Sequence, residues 1–194
     1  MRTGIATMTD TVSEARTAGD GRHWTLRPAR PTDARALSRL FAAVRGEGRW
    51  LVTPPAAVSE PSEAFYIGEM IRGGDGLTLV AEADGEVVGN LLVSLDRNVV
   101  SEHIGTLSIC VAADWRDVGI GSAMVEAGVA WARDRGLAKM ALGVFPDNER
   151  AIAVYERAGF VREGVRRRQY RGPNGTFRDE LLMAWFPDGQ EADR

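Results

Sequence analysis

The sequence predicts an α/β domain, a mixed sheet of about seven strands with helices on both faces. Three observations carry this reading. Short apolar runs of strand-forming composition recur along the chain, stretches with apolar residues at helical spacing fall between them, and glycine or proline marks most of the junctions.

Residues 1–21 are rich in Thr, Ala, Gly, Asp and Ser without sustained periodicity, and read as a disordered leader in which Met8 is a second candidate start. Trp24 to Arg27 is a short strand. A helix follows from Thr32, its candidate N-cap, with Ala36, Leu37, Leu40, Phe41 and Val44 on one apolar face. Residues 46–61 hold Gly46, Gly48, Pro54, Pro55 and Pro61 and are expected to be irregular, and a shorter helix spans Ser62 to Arg72. Leu77 to Ala83 and Val87 to Leu95 form a hairpin about Asp84-Gly85. Gly105 to Val111 is a strand, and the helix after it runs from about Gly119 to Arg135, closed by Gly136. Its buried stripe is expected at Ile120, Met124, Ala127 and Trp131. Met140 to Phe145 is a strand, Asn148 to Ala158 a helix closed by Gly159, and Val161–Arg168 and Arg178–Phe186 are strands about the turn 172–175. One domain thus spans 22–187, with 188–194 a polar tail.

Composition narrows the function. A chain of 194 residues suits one well-buried domain. Apolar residues at 44%, charged residues at 26% and a net charge of -3 describe a globular protein with no global attraction to nucleic acid or anionic membrane. The lone Cys110 excludes an internal disulfide framework, and His23 and His103 lack metal-ligand spacing, so no metal is expected. No apolar run reaches the ~18 residues of a membrane span, and the start does not read as a signal peptide; the expected location is cytoplasmic.

The chemistry concentrates at Arg116-Asp117-Val118-Gly119-Ile120-Gly121-Ser122, between an apolar strand and an amphipathic helix. A helix start offers unpaired N–H groups and partial positive charge, glycines let a phosphate approach the backbone, and Arg116 adds a full charge. A tight turn without a ligand explains two glycines equally well. The Rossmann fingerprint fails at Met124, and a P-loop fails for want of Gly-Lys-Ser/Thr.

The segment resembles the central motif of the GNAT superfamily of N-acetyltransferases, Arg/Gln-x-x-Gly-x-Gly/Ala. A second stretch, Asn148 to Phe160, is similar to that superfamily's N-x-x-A-x-x-x-Y-x-x-x-G-F motif, and the element order agrees across roughly residues 23–186. The resemblance implies a mostly antiparallel, twisted sheet and acetyl-CoA as acyl donor. It assigns residues 116–122 to the pyrophosphate and the strand residues Ile109, Cys110 and Val111 to the pantetheine arm, whose entry lies in a V between that strand and Met140–Phe145. A backbone N–H near Ile109 would stabilise the oxyanion. Asn148 would contact CoA, against an alternative role as N-cap, and Tyr155 would be the acid for the departing thiolate, against an alternative as a core aromatic. Asn148, Ala151, Ile152 and Tyr155 share one helical face.

Glu102 and His103, just before the central strand, are the candidate general bases; His103 has an ordinary pKa of about 6.5, and Glu102 needs a raised pKa or a water relay. The basic run Arg162, Arg166, Arg167, Arg168 and Arg171 reads as a solvated strand edge or an anion-attracting patch, and Cys110 as packing rather than a nucleophile. The implied activity is acetyl transfer to a primary amine by direct attack in a ternary complex, on a small amine or amino acid rather than a protein N-terminus or lysine. The closing segment 179–184 favours the small acceptor, whose pocket is expected from residues 46–72 and the last hairpin. A non-catalytic acyl-CoA sensor is the alternative from another class, and a homodimer is expected from the superfamily.

Overall fold

Period-two alternation in the apolar runs is satisfied by a single eight-stranded sheet. The computed structural model describes residues 13–51, 59–73, 76–96, 98–172 and 175–188. In chain order the elements are β1 (Glu14–Thr17), β2 (His23–Pro28), α1 (Ala34–Gly46), α2 (Glu60–Gly73), β3 (Leu77–Ala83), β4 (Glu86–Leu95), β5 (Ile104–Val111), α3 (Ile120–Arg135), β6 (Lys139–Val144), α4 (Glu149–Arg157), β7 (Val161–Arg171) and β8 (Phe177–Trp185). The strands lie in the order β1-β2-β3-β4-β5-β6-β8-β7, and every neighbouring pair is antiparallel except β5 with β6.

Alternation sends the two sides of the sheet to different helices. Leu79, Ala81, Leu91, Val93 and Leu107 pack with Ile120, Met124 and Val125 of α3, and this cluster continues through Leu142, Val144, Leu181 and Met183 to Ile152 and Tyr155 of α4. On the opposite face Val80 meets Leu37 of α1 and Ile67 of α2, and Cys110 meets Leu40 and Val44 of α1. A side chain at Gly89 would lie 3.2 Å from the Ala81 methyl and 3.3 Å from the Met124 sulfur, so glycine lets α3 approach β4 closely.

Three expectations are corrected. The sheet has eight strands rather than about seven, because Glu14–Thr17, inside the expected disordered leader, pairs with His23–Leu26. A backbone ladder needs no apolar period, and only Ala18 beside it is buried, which left no pattern to read. Residues 1–12, Met8 among them, lie outside the described residues, as do 52–58 of the irregular stretch and the tail beyond Asp188. Thr32 does not cap α1: it sits in a 3-10 turn (Pro31–Asp33), where the Asp33 carboxylate accepts from the Arg30 N–H at 2.7 Å. Ala127 and Trp131 are half-buried, and the fully covered stripe of α3 runs through Ile120, Met124, Gly128 and Ala132. The other ends fall close to expectation. Asp84 and Gly85 both have positive φ (51° and 81°), as a type I′ hairpin requires, and Gly136 closes α3 at φ 75° with its N–H on the Ala132 and Arg133 carbonyls.

Among the described residues, no helix is long and apolar enough to cross a membrane, and no three His, Cys, Asp or Glu side chains are grouped to hold a metal ion.

Candidate active site

The parallel pair at the centre of the sheet is short. β5 and β6 are in register only at Ile104–Lys139, Gly105–Met140 and Thr106–Ala141. Beyond Thr106, β5 stays bonded to β4 as far as Val111–Gly89, and β6 to β8 as far as Val144–Leu181. The facing edges, 107–111 and 142–144, therefore diverge. Their backbone amides and carbonyls are an unfilled ladder that an extended, amide-bearing chain can complete. A cavity of about 710 Å³ occupies the gap and is lined by residues from both faces of the sheet.

On the α3–α4 face the cavity ends at the turn between β5 and α3. Asp117 and Gly119 have positive φ (63° and 97°), and Gly119 caps α3 without any side chain bonding to the exposed first-turn amides. The space beside Gly119 and Gly121 is open, so a bulky anion can reach the helix start. Arg116 is used differently from expectation. Its Nε donates to the Val111 carbonyl at 2.9 Å and its two terminal nitrogens to Glu47 at 2.7 and 2.6 Å, so its charge is matched and it clamps the end of β5 to the segment after α1. Asp117 pairs with Arg150 at 2.8 Å across the mouth. The expected leader and the first residue of the domain brace this turn: the Gly19 N–H donates to the Val118 carbonyl at 3.0 Å, and Arg22 donates to the Asp114 carbonyl at 2.7 Å while lying 3.8 Å over the Trp115 ring.

Ile109, Cys110, Val111, Arg116, Asp117, Gly119, Gly121, Ser122, Asn148 and Tyr155 all line the cavity. Val118 and Ile120 do not; Ile120 is fully buried beneath the turn and anchors it. Asn148 caps α4, its Oδ1 accepting from the Ala151 N–H at 3.3 Å, so the capping role is real and leaves its amide group at the cavity wall. Tyr155, 6% exposed, packs at 5.8 Å against Phe160. Among the described residues nothing hydrogen-bonds its hydroxyl, and burial pushes its pKa up, so the phenol stays protonated. Burial also pushes the Cys110 thiol up to about 12, which keeps it inert.

Glu102 and His103 are not brought to the site. Both are exposed in the turn before β5, outside the cavity lining, where β5 and β6 are still paired and the His103 carbonyl accepts from the Ala138 N–H at 3.1 Å. The V opens toward the other end of β5, so nearness in sequence to the central strand placed them at its closed end.

On the α1 face the segments expected to build the acceptor pocket contribute Trp50 and Leu51 from residues 46–72 and Tyr170 and Glu180 from the last hairpin, although none of these was singled out individually. Val44, Trp50, Leu51, Phe145, Tyr170 and Glu180 line that half of the cavity. Glu180 is 8% exposed; Tyr170 donates its hydroxyl to Oε1 at 2.7 Å and Arg166 donates to Oε2 at 3.0 Å. Its carboxylate lies over Gly143, where any Cβ would collide with it. Two signals in the sequence point there, a glycine inside the apolar strand 140–145 and the acidic pair Asp179-Glu180 at the start of an apolar run. Of the basic run, Arg166 reaches inward, Arg162 pairs with Glu156, and Arg168 and Arg171 cover Phe177.

A parallel pair splayed over a two-sided cavity, with an open glycine turn at one mouth, defines the acyl-CoA transferase architecture that the two motifs announce. The chain belongs to the acetyltransferase (GNAT) family, whose pattern matches residues 47–160. It is 36% identical over 110 residues to the L-amino acid N-acetyltransferase AaaT of Escherichia coli (strain K12), an alignment covering 55% of this chain and 65% of that protein. It is 30% identical over 186 residues to a streptothricin acetyltransferase of Streptomyces lavendulae, covering 87% of this chain and 97% of that one. Among solved structures, Mycobacterium smegmatis RimJ in complex with CoA-disulfide superposes with a TM-score of 0.71 at 25% identity, over 91% of this chain and 87% of that one.

Proposed function

We propose that the protein transfers an acetyl group from acetyl-CoA to a primary amine, by direct attack in a ternary complex, with a small amine or amino acid as acceptor. The observation that carries this reading is the two-sided cavity, which opens on the glycine turn at one face of the sheet and on Glu180 and an aromatic wall at the other. The residues fit the donor. The first-turn amides of α3 would hold the pyrophosphate, and the free edges of β5 and β6 would bond the pantetheine amides. When bound, acetyl-CoA supplies an acyl group activated as a thioester.

The chain's own residues supply the rest. The β5 edge near Ile109 offers a backbone N–H to the developing oxyanion. The Tyr155 hydroxyl, held protonated by burial on a residue that lines the cavity, gives a proton to the departing thiolate. The acceptor amine approaches from the α1 face, gives its ammonium proton to solvent and attacks the thioester carbonyl as the free base; the C–N bond forms as the C–S bond breaks, and the proton shed by the new amide nitrogen restores the Tyr155 phenol. Similarity to proteins named for amino-acid and streptothricin acetylation supports a small acceptor. Glu102 and His103 lie at the closed end of the V, outside the cavity lining, so the proposal gives them no part in the reaction. A homodimer and a cytoplasmic location remain part of the proposal.

The test is thiol release from acetyl-CoA with a panel of amino acids, polyamines, aminoglycosides and short peptides. Turnover on free amines supports the reading. Turnover on peptides alone moves the acceptor to protein, and CoA binding without turnover on any of them replaces the enzyme with a sensor.

A further inference from the structure

Resting on that reading, we infer that Glu180 is the acceptor-binding carboxylate: it receives the ammonium end of an amine whose apolar body lies against Trp50, Leu51 and Phe145. Four observations lead there. The side chains of Leu181 and Met183 face the α3–α4 core, so alternation turns Glu180 to the opposite face, the one from which the acceptor enters. Arg178, on the same side of β8, reaches the Arg49 carbonyl after α1 at 2.5 Å, which ties this edge of the sheet to that face. The Glu180 carboxylate is buried at the cavity wall rather than in solvent, beside Gly143 on the free edge of β6. Its two oxygens are oriented by the Tyr170 hydroxyl and by Arg166, whose side chain is 56% exposed, leaving acceptor lone pairs toward the cavity.

Charge decides what it takes. A buried carboxylate is costly unless a cation or strong donors meet it. Glu180 is met by Arg166 at 3.0 Å, through a side chain more than half exposed and so weakened by solvent, while Arg45 is matched by Glu63, Arg116 by Glu47 and Arg178 by Asp147. The surrounding wall is aromatic and aliphatic, with Arg178 at 3.3 Å over one face of Phe145 and Arg49 at 4.3 Å over one face of Trp50. This suits an ammonium carried on an apolar or aromatic group and opposes an anionic acceptor. It also gives the Tyr170 hydroxyl a purpose beyond packing, since the phenol sits edge-on to Phe145 at 5.8 Å while its oxygen aims the carboxylate.

The experiment measures binding of 2-phenylethylamine, and of its neutral analogue 2-phenylethanol, to the protein saturated with CoA, by calorimetry that needs no turnover. The wild type is expected to bind the amine and prefer it to the alcohol by tenfold or more. Glu180→Gln, which keeps the volume and the Tyr170 hydrogen bond, is expected to lose that preference and weaken amine binding about tenfold or more, with CoA affinity and thermal midpoint unchanged. Tyr170→Phe is expected to give an intermediate loss. An amine affinity in Glu180→Gln within threefold of wild type, or a wild type that does not favour amine over alcohol, overturns the assignment. Thiol release is read in parallel. Amine binding through Glu180 without acetylation refutes the transferase reading alone, and acetylation with an unmoved KM for the amine in Glu180→Gln refutes the Glu180 assignment alone.

Discussion

At Tyr155 two demands meet on one side chain: the ring belongs to the core beneath α4, and the residue lines the cavity where the proposal needs an acid. Phenylalanine keeps the first and removes the second. Tyr155→Phe is therefore expected to lower kcat by about 100-fold, the lower range for a lost general acid, while the Kd for CoA stays within about twofold; stopped thiol-release kinetics and calorimetry on one preparation check both. The double substitution Glu102→Gln with His103→Ala is expected to leave kcat/KM within about twofold, because neither side chain lines the cavity. A tenfold loss there would restore a base at the start of β5. At this scale the donor wall was legible through the resemblance of its two motifs, since spacing alone left Asn148 as an N-cap and Tyr155 as a core aromatic. The acceptor side was not. Glu180, Tyr170 and Trp50 are far apart in sequence and meet only through the order β6-β8-β7 and the return of the chain after α1.

Individual elements hold the two walls of the cavity in place. α1 and α2 are joined by a nearly buried cluster in which Arg45 donates to Glu63 at 2.6 and 2.7 Å and the Ser38 hydroxyl donates to Glu63 at 2.7 Å. Removing one member leaves the other charge uncompensated, so Arg45→Met is expected to cost about 3 kcal/mol in urea unfolding. The hydrogen bonds from Arg45 hold the Glu63 carboxyl below its ordinary value of 4.5. Its contribution to stability is therefore full above about 4.5 and is lost as the pH falls through the depressed folded value. The thermal midpoints of wild type and Glu63→Gln should be separated above pH 5 and approach one another progressively as the pH falls below 4.5. β1 acts on the donor wall instead. Deleting residues 1–19 removes the Gly19–Val118 hydrogen bond that braces the phosphate turn, and is expected to weaken CoA binding by about threefold to tenfold with little change in kcat. Periodicity revealed the helices and the central strands well. It missed β1 because a short exposed ladder carries no apolar signature, and it misread the α1 cap because Asp33 answers to Arg27 and Arg30 rather than to the helix.

The whole molecule is a sheet held together at both ends and open in the middle. Continuous ladders from β1 to β5 and from β6 to β7 frame the one parallel pair that separates after three residue pairs. The fold class followed from element order, and the opening from resemblance; composition contributed the absence of a disulfide framework and of metal-ligand spacing. The depth of the acceptor half was beyond reach of the sequence because it depends on long-range packing of α1 against β5. The account rests on one claim, that this opening brings an acyl thioester and an amine together. Its most direct measurement is release of free CoA from acetyl-CoA with mass detection of the amine product across the acceptor panel. The account predicts free CoA and N-acetylated amine in equal amounts, with both signals falling together in Tyr155→Phe. Saturable CoA binding without any acetylated amine, or release of CoA that does not depend on the amine, would contradict it.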